Sequence, residues 1–323
     1  MLPLTFAPHY RPQVWGGRRL ESVLGKQLPA EGKYGEAWDL SAQPLHLSRV
    51  DDGPDAGQTI AEIWKKHSGN WLGASAPTQF PLLVKWLDCS ELLSVQVHPD
   101  DAWADRLLSE PCGKTEAWIV LHAEPQAIVY AGLKHGVTKD DVTRQMRDGT
   151  VAESLHAFHP KRGDVIFIPA GTVHAAGGGI VMAEVQQTSD ATFRMFDWNR
   201  PGPDGKPRQL HHEAALECID WSQGPVRPHA NIDLTTTRSP GIETILHCPH
   251  FQFDIVHVGP DPLTVDSQDP TILMALEGEL TISGEAGTKH LARGATSLLP
   301  PAALNWRLSS STGACCLHVH LGS

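Results

Sequence analysis

Tyrosine and cysteine are both scarce in this chain, at three and six of 323 residues. Cys89, Cys112, Cys218, Cys248, Cys315 and Cys316 show no C-x-x-C spacing. That excludes a zinc ribbon and a thioredoxin-type motif and leaves reduced thiols as the expectation. Positive charge is short as well: Lys+Arg total 26 against 37 Asp+Glu, a net charge of −11. No global positive field exists to capture a polyanion, so nucleic acid is not an expected partner. A few local cations can still hold one phosphate inside an acidic protein. No stretch approaches the roughly 18 apolar residues that a membrane span needs, and the opening residues lack the basic segment and long apolar run of a signal peptide. The expectation is a cytoplasmic chain without a membrane partner.

Histidine, by contrast, is plentiful, with 18 residues, and imidazole is the commonest neutral metal ligand. Short β-type runs bounded by Gly, Pro and Asp dominate the pattern: 81–86, 93–97, 117–120, 165–168 and 180–185, then 251–258, 271–276, 279–283, 297–299 and 315–321. Helical patterns are fewer. One, at 59–66, opens with a Thr59/Glu62 capping box, a second, at 138–155, opens with Thr138/Asp141, and a third covers 212–219. Turn residues make 201–207 a loop. A boundary follows near residue 220 to 240, and the strand-rich remainder suggests duplication. Gly163-x5-Pro169 has a counterpart in Gly294-x5-Pro300, and five residues beyond each proline stand His174 and Asn305. If both halves are small antiparallel barrels, the first alone carries a ligand at that place.

Gln96 and His98 lie two apart in an alternating strand and share a face with Ser94, while Val95 and Val97 point the other way. His174 closes the sequence Gly163-x5-Pro169-x-Gly171-x2-His174, the spacing of the second cupin motif. The first cupin motif would offer His-x-His with Glu close behind; here Gln96 replaces the first His, and Glu116 lies further on. Two His, one Glu and one Gln oxygen would make a metal shell suited to zinc but also to cobalt, manganese or iron. Each residue has a plainer alternative: a strand histidine hydrogen-bonded to backbone, a turn-capping Glu116, a Gln96 that satisfies backbone groups. On spacing alone these alternatives stay open.

Longer words then become recognisable. Leu93-Ser94-Val95-Gln96-Val97-His98-Pro99-Asp100-Asp101, Gly113-Lys114-Thr115-Glu116-Ala117-Trp118, Pro169 to His174, and the stretch from Glu184 through Asp190 and Arg194 to Arg200 closely resemble the type I mannose-6-phosphate isomerases. Val14-Trp15-Gly16-Gly17, Gly35-Glu36-Ala37-Trp38 and Phe80 to Lys85 add to the match, which runs in order from about residue 5 to 220.

The resemblance implies a mainly β protein of two cupin-type (jelly-roll) β-barrels with a few short helices. Residues 1–220 would be the metal-binding catalytic unit, with N-terminal strands and helices, and residues 221–323 a second barrel without a metal site. It implies one zinc ion per chain on Gln96, His98, Glu116 and His174, and interconversion of mannose 6-phosphate and fructose 6-phosphate through an enediolate. Lys85, Lys114, Asp190 and Arg194 are the implied catalytic residues, with Asp190 the leading acid/base and Lys85 and Glu184 its rivals; Ser94, Lys114 and Glu184 would bind substrate. The partner is then a small sugar phosphate and the chain a monomer or homodimer. The longer members insert a helical domain that this chain is too short to hold. Two other classes fit the ligand set: a metal-dependent cupin oxygenase, which would give Lys114, Arg194 and Ser94 no shared role, and a non-catalytic sugar-phosphate-binding cupin.

Overall fold

The computed structural model of the chain describes all residues except 45, 109–111, 203, 266–267, 303–304 and 323. It is mainly β, built as two cupin-type barrels with short helices. In the first barrel a seven-stranded sheet includes, in order, Asp164–Ile168, Glu116–Ala123, Ile180–Gln187, Leu82–Cys89 and Tyr34–Leu40. It faces a five-stranded sheet made of Phe193–Phe196, Val95–Val97, His174–Gly177, Ile128–Leu133 and Leu155–Phe158. The second barrel repeats the plan. Thr296–Leu299, Thr271–Gly278, Ala314–Leu321, Phe251–Val258 and Gly241–His247 stand in the same order in a six-stranded sheet, opposite a four-stranded one.

The central strands read as unbroken apolar runs because each of their faces meets a different apolar layer. Ala117, Ile119, Val181 and Ala183 pack in one cluster with Phe251, Phe253, Leu317 and Val319, so the two large sheets share a single core between the barrels. Burying one such phenylalanine contributes about 1.5–3 kcal/mol. The alternate residues, Trp118, Val120 and Met182, fill the first barrel, and Leu273, Ala275 and Cys316 fill the second. This alternation also turns Lys85, Glu116, Glu184 and Gln186 into the first barrel.

Capping explains where the helices begin and end. Thr59 and Thr138 form the expected capping boxes, but the first helix runs on over Ile60–Leu72. The second stops at Asp148, because Gly149 takes a left-handed conformation and its N–H turns back to Gln145 O; Leu155 then opens a strand rather than closing the helix. His212–Cys218 is helical as expected. Two helices were not foreseen, Arg19–Leu24 and Asp101–Leu108; for the latter the signal was Asp100, whose Oδ1 accepts the Trp103 N–H at 2.7 Å. Within the 201–207 loop, Pro201 and Pro207 form a bridge, and Pro203 lies outside the described residues. Strands also cross between the units: Leu4–Thr5 pairs with the second barrel's Ser297 and Leu298, and Ala230–Asn231 pairs with Asp164 and Val165 of the first.

Candidate active site

The Val95–Val97 strand turns Val95 and Val97 onto an apolar cluster beneath the helices Lys139–Asp148 and His212–Cys218, which leaves Gln96 facing the barrel interior. His98 follows on the same side. Its carbonyl accepts the Gly171 N–H at 2.8 Å, fastening the His98 segment to the turn that precedes His174. Gly171 sits at φ +82°, and a Cβ there would lie 2.8 Å from Asp220 Cβ, so only glycine fits this turn. His174 then opens a strand directly opposite Gln96.

His98, Glu116 and His174 meet at this point, each only 1% exposed. His98 Nε2 is 3.5 Å from Glu116 Oε2, and His174 Nε2 is 3.3 Å from Glu116 Oε1. The Gln96 amide lies 3.4 Å and 3.3 Å from the same two ring nitrogens. Each imidazole gives its Nδ1–H to a carbonyl, His98 to Ala191 O at 2.9 Å and His174 to Thr172 O at 2.8 Å. Both Nε2 lone pairs are therefore turned toward the carboxylate, the arrangement that presets histidines as metal ligands. Glu116 Oε2 is buried and accepts no hydrogen bond among the described residues. Two imidazole nitrogens, a buried carboxylate and an amide that can turn its oxygen inward make a donor set that fits a divalent transition metal.

Among the described residues, the cation touching this group is Lys114, whose Nζ is 3.0 Å from His98 Nε2 and 3.1 Å from Glu116 Oε2. Burial alone would raise the Glu116 carboxyl, but Lys114 and the two histidines reverse this and hold it well below the usual range. Burial, with Lys114 beside it, pushes His98 well below an ordinary histidine. The ring is thus kept neutral, as a ligand must be.

Gln96 and Lys114 connect this cluster to a cavity of about 340 Å³. Gln96, Lys85, Ser94, Lys114, Glu184, Asp190 and Arg194 all line it, whereas His98, Glu116 and His174 lie behind its wall. Ser94 Oγ donates to Gln96 Oε1 at 3.2 Å. Lys85 Nζ is 2.5 Å from Gln186 Oε1, 3.0 Å from Glu184 Oε1 and 3.9 Å from Glu36 Oε2. Burial disfavours its charge, yet Glu184, Glu36 and Asp190 outweigh that and raise its pKa. Burial raises Glu184 despite Lys85. Asp190 is at the rim, with a half-exposed carboxylate 3.4 Å from Arg11 Nη1. Arg194 lies opposite Gln96 in the sheet, donates to Gln209 O at 2.9 Å, and has its Nε buried without a hydrogen-bond partner among the described residues.

The sequence reading missed Arg11, Glu36 and Arg208 as lining residues. Glu36 accepts from Gln13 at 2.6 Å and from Trp38 Nε1 at 2.6 Å, and Arg11 stacks 4.4 Å over the Trp38 ring. The available signal was an acid between Gly35 and Ala37, two residues before Trp38, in a strand buried along its length. Arg208 had none: it is held through Asp197, which it shares with Arg200.

A profile of the catalytic domain of type I phosphomannose isomerases matches residues 3–112. Over 289 residues the chain is 35% identical to the mannose-6-phosphate isomerase ManA of Bacillus subtilis, covering 88% of each. Over 217 residues it is 36% identical to the mannose-6-phosphate isomerase of Streptococcus mutans, 67% of each. In three dimensions it superposes on the crystal structure of the Bacillus subtilis mannose 6-phosphate isomerase with a TM-score of 0.86 at 30% identity, over 99% of this chain and 100% of that one.

Proposed function

Because the chain belongs to the type I mannose-6-phosphate isomerases, we propose that it interconverts mannose 6-phosphate and fructose 6-phosphate through an enediolate, with one zinc ion held by Gln96, His98, Glu116 and His174. One observation carries this reading. The His98, Glu116 and His174 group adjoins a cavity lined by five cations, Arg11, Lys85, Lys114, Arg194 and Arg208, against the three carboxylates Glu36, Glu184 and Asp190, in a chain of net charge −11. Such a local excess suits an anionic sugar phosphate.

Bound there, a zinc ion would supply Lewis acidity toward the carbonyl side of the sugar. The chain's own groups do the rest. Asp190, at the rim and open to solvent exchange, is the proposed base for the proton on carbon. Lys85 is held charged by Glu184, Glu36 and Asp190, which puts it on the donor side, facing the ring oxygen or a developing oxyanion. Glu184 anchors Lys85 and meets a sugar hydroxyl. Arg194 offers a planar donor fork, and Ser94 a hydroxyl, to phosphate or enediolate oxygens, while Lys114 contributes charge beside the reacting end.

The catalytic work is assigned to residues 1–220, in the cytoplasm. Residues 221–323 supply most of the second barrel, where Asn305 occupies the sequence position of His174, so the cupin ligand set is not repeated. Metal analysis and heavy-water exchange test the proposal together. His98→Ala should lose one equivalent of metal along with activity, and isomerisation in heavy water should leave deuterium in the sugar at the reacting carbons. Unchanged metal content in His98→Ala would overturn the ligand assignment. A complete lack of label, together with an unimpaired Asp190→Asn enzyme, would overturn the proton-transfer route.

A further inference from the structure

The second barrel contains its own buried polar group. Asp254 and His318 are paired across neighbouring strands, as are His320 and Thr271, and all four side chains belong to the inward-facing set that alternates with Phe253, Ile255, Leu317 and Val319. Lys85 pairs with Glu184, and Gln186 with Glu116, in the same registers of the first barrel. By strand order and register, then, Asp254, His318, His320 and Thr271 stand where Lys85, Glu184, Gln186 and Glu116 stand in the catalytic barrel. The position is the same; the chemistry is not, because an ammonium, a carboxylate and an amide have been replaced by a carboxylate and two imidazoles.

We propose that Asp254, His318 and His320 form a second divalent transition-metal site, structural rather than catalytic, inside the C-terminal barrel. One ligand atom from each lies within 4.8 Å of the other two. His320 Nε2 is 2.8 Å from Asp254 Oδ2, and the two rings are 4.3 Å apart between centroids. The other carboxylate oxygen, Oδ1, accepts from Thr244 Oγ1 at 2.7 Å and Gln252 Nε2 at 3.0 Å, so outer hydrogen bonds fix the carboxylate and leave Oδ2 facing the histidines. Burial opposes charge on Asp254, yet His320, Thr244 and Gln252 bring it down to about 2. A separate sign is Thr271 Oγ1, buried without a hydrogen-bond partner among the described residues and opposite His320; a metal-bound water would satisfy it. Two imidazoles and one carboxylate suit zinc or cobalt(II). The ion would tie the Ala314–Leu321 strand to Phe251–Val258 and close that end of the barrel. The sequence pointed to a metal-free second barrel because Asn305 stands at the position of His174, whereas this cluster lies at the position of Lys85.

Cobalt(II) titration of chelated protein, read by calorimetry and by visible absorption, tests this. Wild type should take up two equivalents, His320→Gln one and His98→Ala one, and the double variant none. His320 is the ligand nearest solvent, with a side chain 29% exposed, so its replacement is the least disruptive; Asp254→Asn, checked for native circular dichroism, gives an independent second variant. His320→Gln should keep wild-type isomerase activity, and cobalt should raise the melting temperature of His98→Ala but not that of the double variant. Equal cobalt uptake by wild type and His320→Gln, or no uptake by His98→Ala, would overturn the second site. Uptake that survives in His98→Ala undiminished from wild type would instead overturn the ligand set proposed for the catalytic barrel.

Discussion

Replacing Lys85 by methionine isolates the buried charges at the centre of the cavity. At an effective dielectric near 20, the attraction is roughly 5 kcal/mol between charges 3.0 Å apart, the Lys85–Glu184 spacing, and roughly 4 kcal/mol at the 3.9 Å to Glu36. Loss of the lysine does not strand Glu36, which keeps Gln13, Trp38 and Arg11. Glu184 is stranded, since its Oε1 has Lys85 as ion-pair partner and no other hydrogen-bond partner among the described residues. Breaking a buried pair in this way costs about 3–5 kcal/mol. An upper bound follows from proton uptake: neutralising a carboxyl of unfolded pKa about 4.3 at pH 7 costs about 4 kcal/mol, at 1.36 kcal/mol per unit. The expected deficit at pH 7 is therefore about 3–4 kcal/mol. It should shrink by about 1.4 kcal/mol for each unit that pH falls toward 5. The sign follows from Glu184: its folded pKa lies above the unfolded value, already so in the wild type and more so without Lys85. The folded variant then binds more protons than the unfolded chain, and its stability drops as pH rises from about 4.3 through the raised value. Urea unfolding at pH 5, 6 and 7, with Lys85→Met/Glu184→Gln as the compensated control, measures this. A deficit below about 1 kcal/mol at pH 7, a deficit independent of pH, or no recovery in the double variant would refute the reasoning.

Two further outcomes follow from the rest of the fold. Asp39 is buried between the barrels, where it accepts from Lys26 at 2.8 Å, Trp86 Nε1 at 2.9 Å and Thr296 Oγ1 at 3.0 Å. Asp39→Asn should cost about 3–5 kcal/mol by stranding the Lys26 charge, and Asp39→Asn/Lys26→Met less; equal losses in urea unfolding would show that the ion pair is not the cause. Burial pushes the Cys218 and Cys315 thiols up to about 12 and those of Cys89 and Cys316 well above the usual value. A disulfide exchange reagent at pH 8 should accordingly find Cys112 first and leave the buried five silent until denaturant is added; rapid reaction of several thiols would contradict that packing.

The metal-type cluster was the most legible part of the site. Gln96 and His98 announce their shared face by alternation, and the glycine and proline before His174 mark a turn whose dihedral angles only glycine tolerates. Lys85 and Glu184 were visible as charges within otherwise apolar runs, although nothing in their spacing shows that they meet. Arg208 was not legible at all, because its place depends on Asp197 and on a loop that returns to the rim.

Sequence by itself determined the elements and their punctuation: strand runs, capping boxes, and the Gly-x5-Pro repeat that marks two barrels of one plan. These signals act over a handful of residues, through hydrogen bonds and dihedral limits that each residue carries with it. Tertiary structure alone decided which charges share a cavity, since strands more than 90 residues apart, such as those holding Lys85 and Glu184, become neighbours only when the sheet orders them. It likewise decided that Asp254, His318 and His320 converge. Their separation of 64 residues between Asp254 and His318 carries no local pattern; only the pairing of two strands, driven by the apolar layer between the barrels, sets a carboxylate beside two imidazoles.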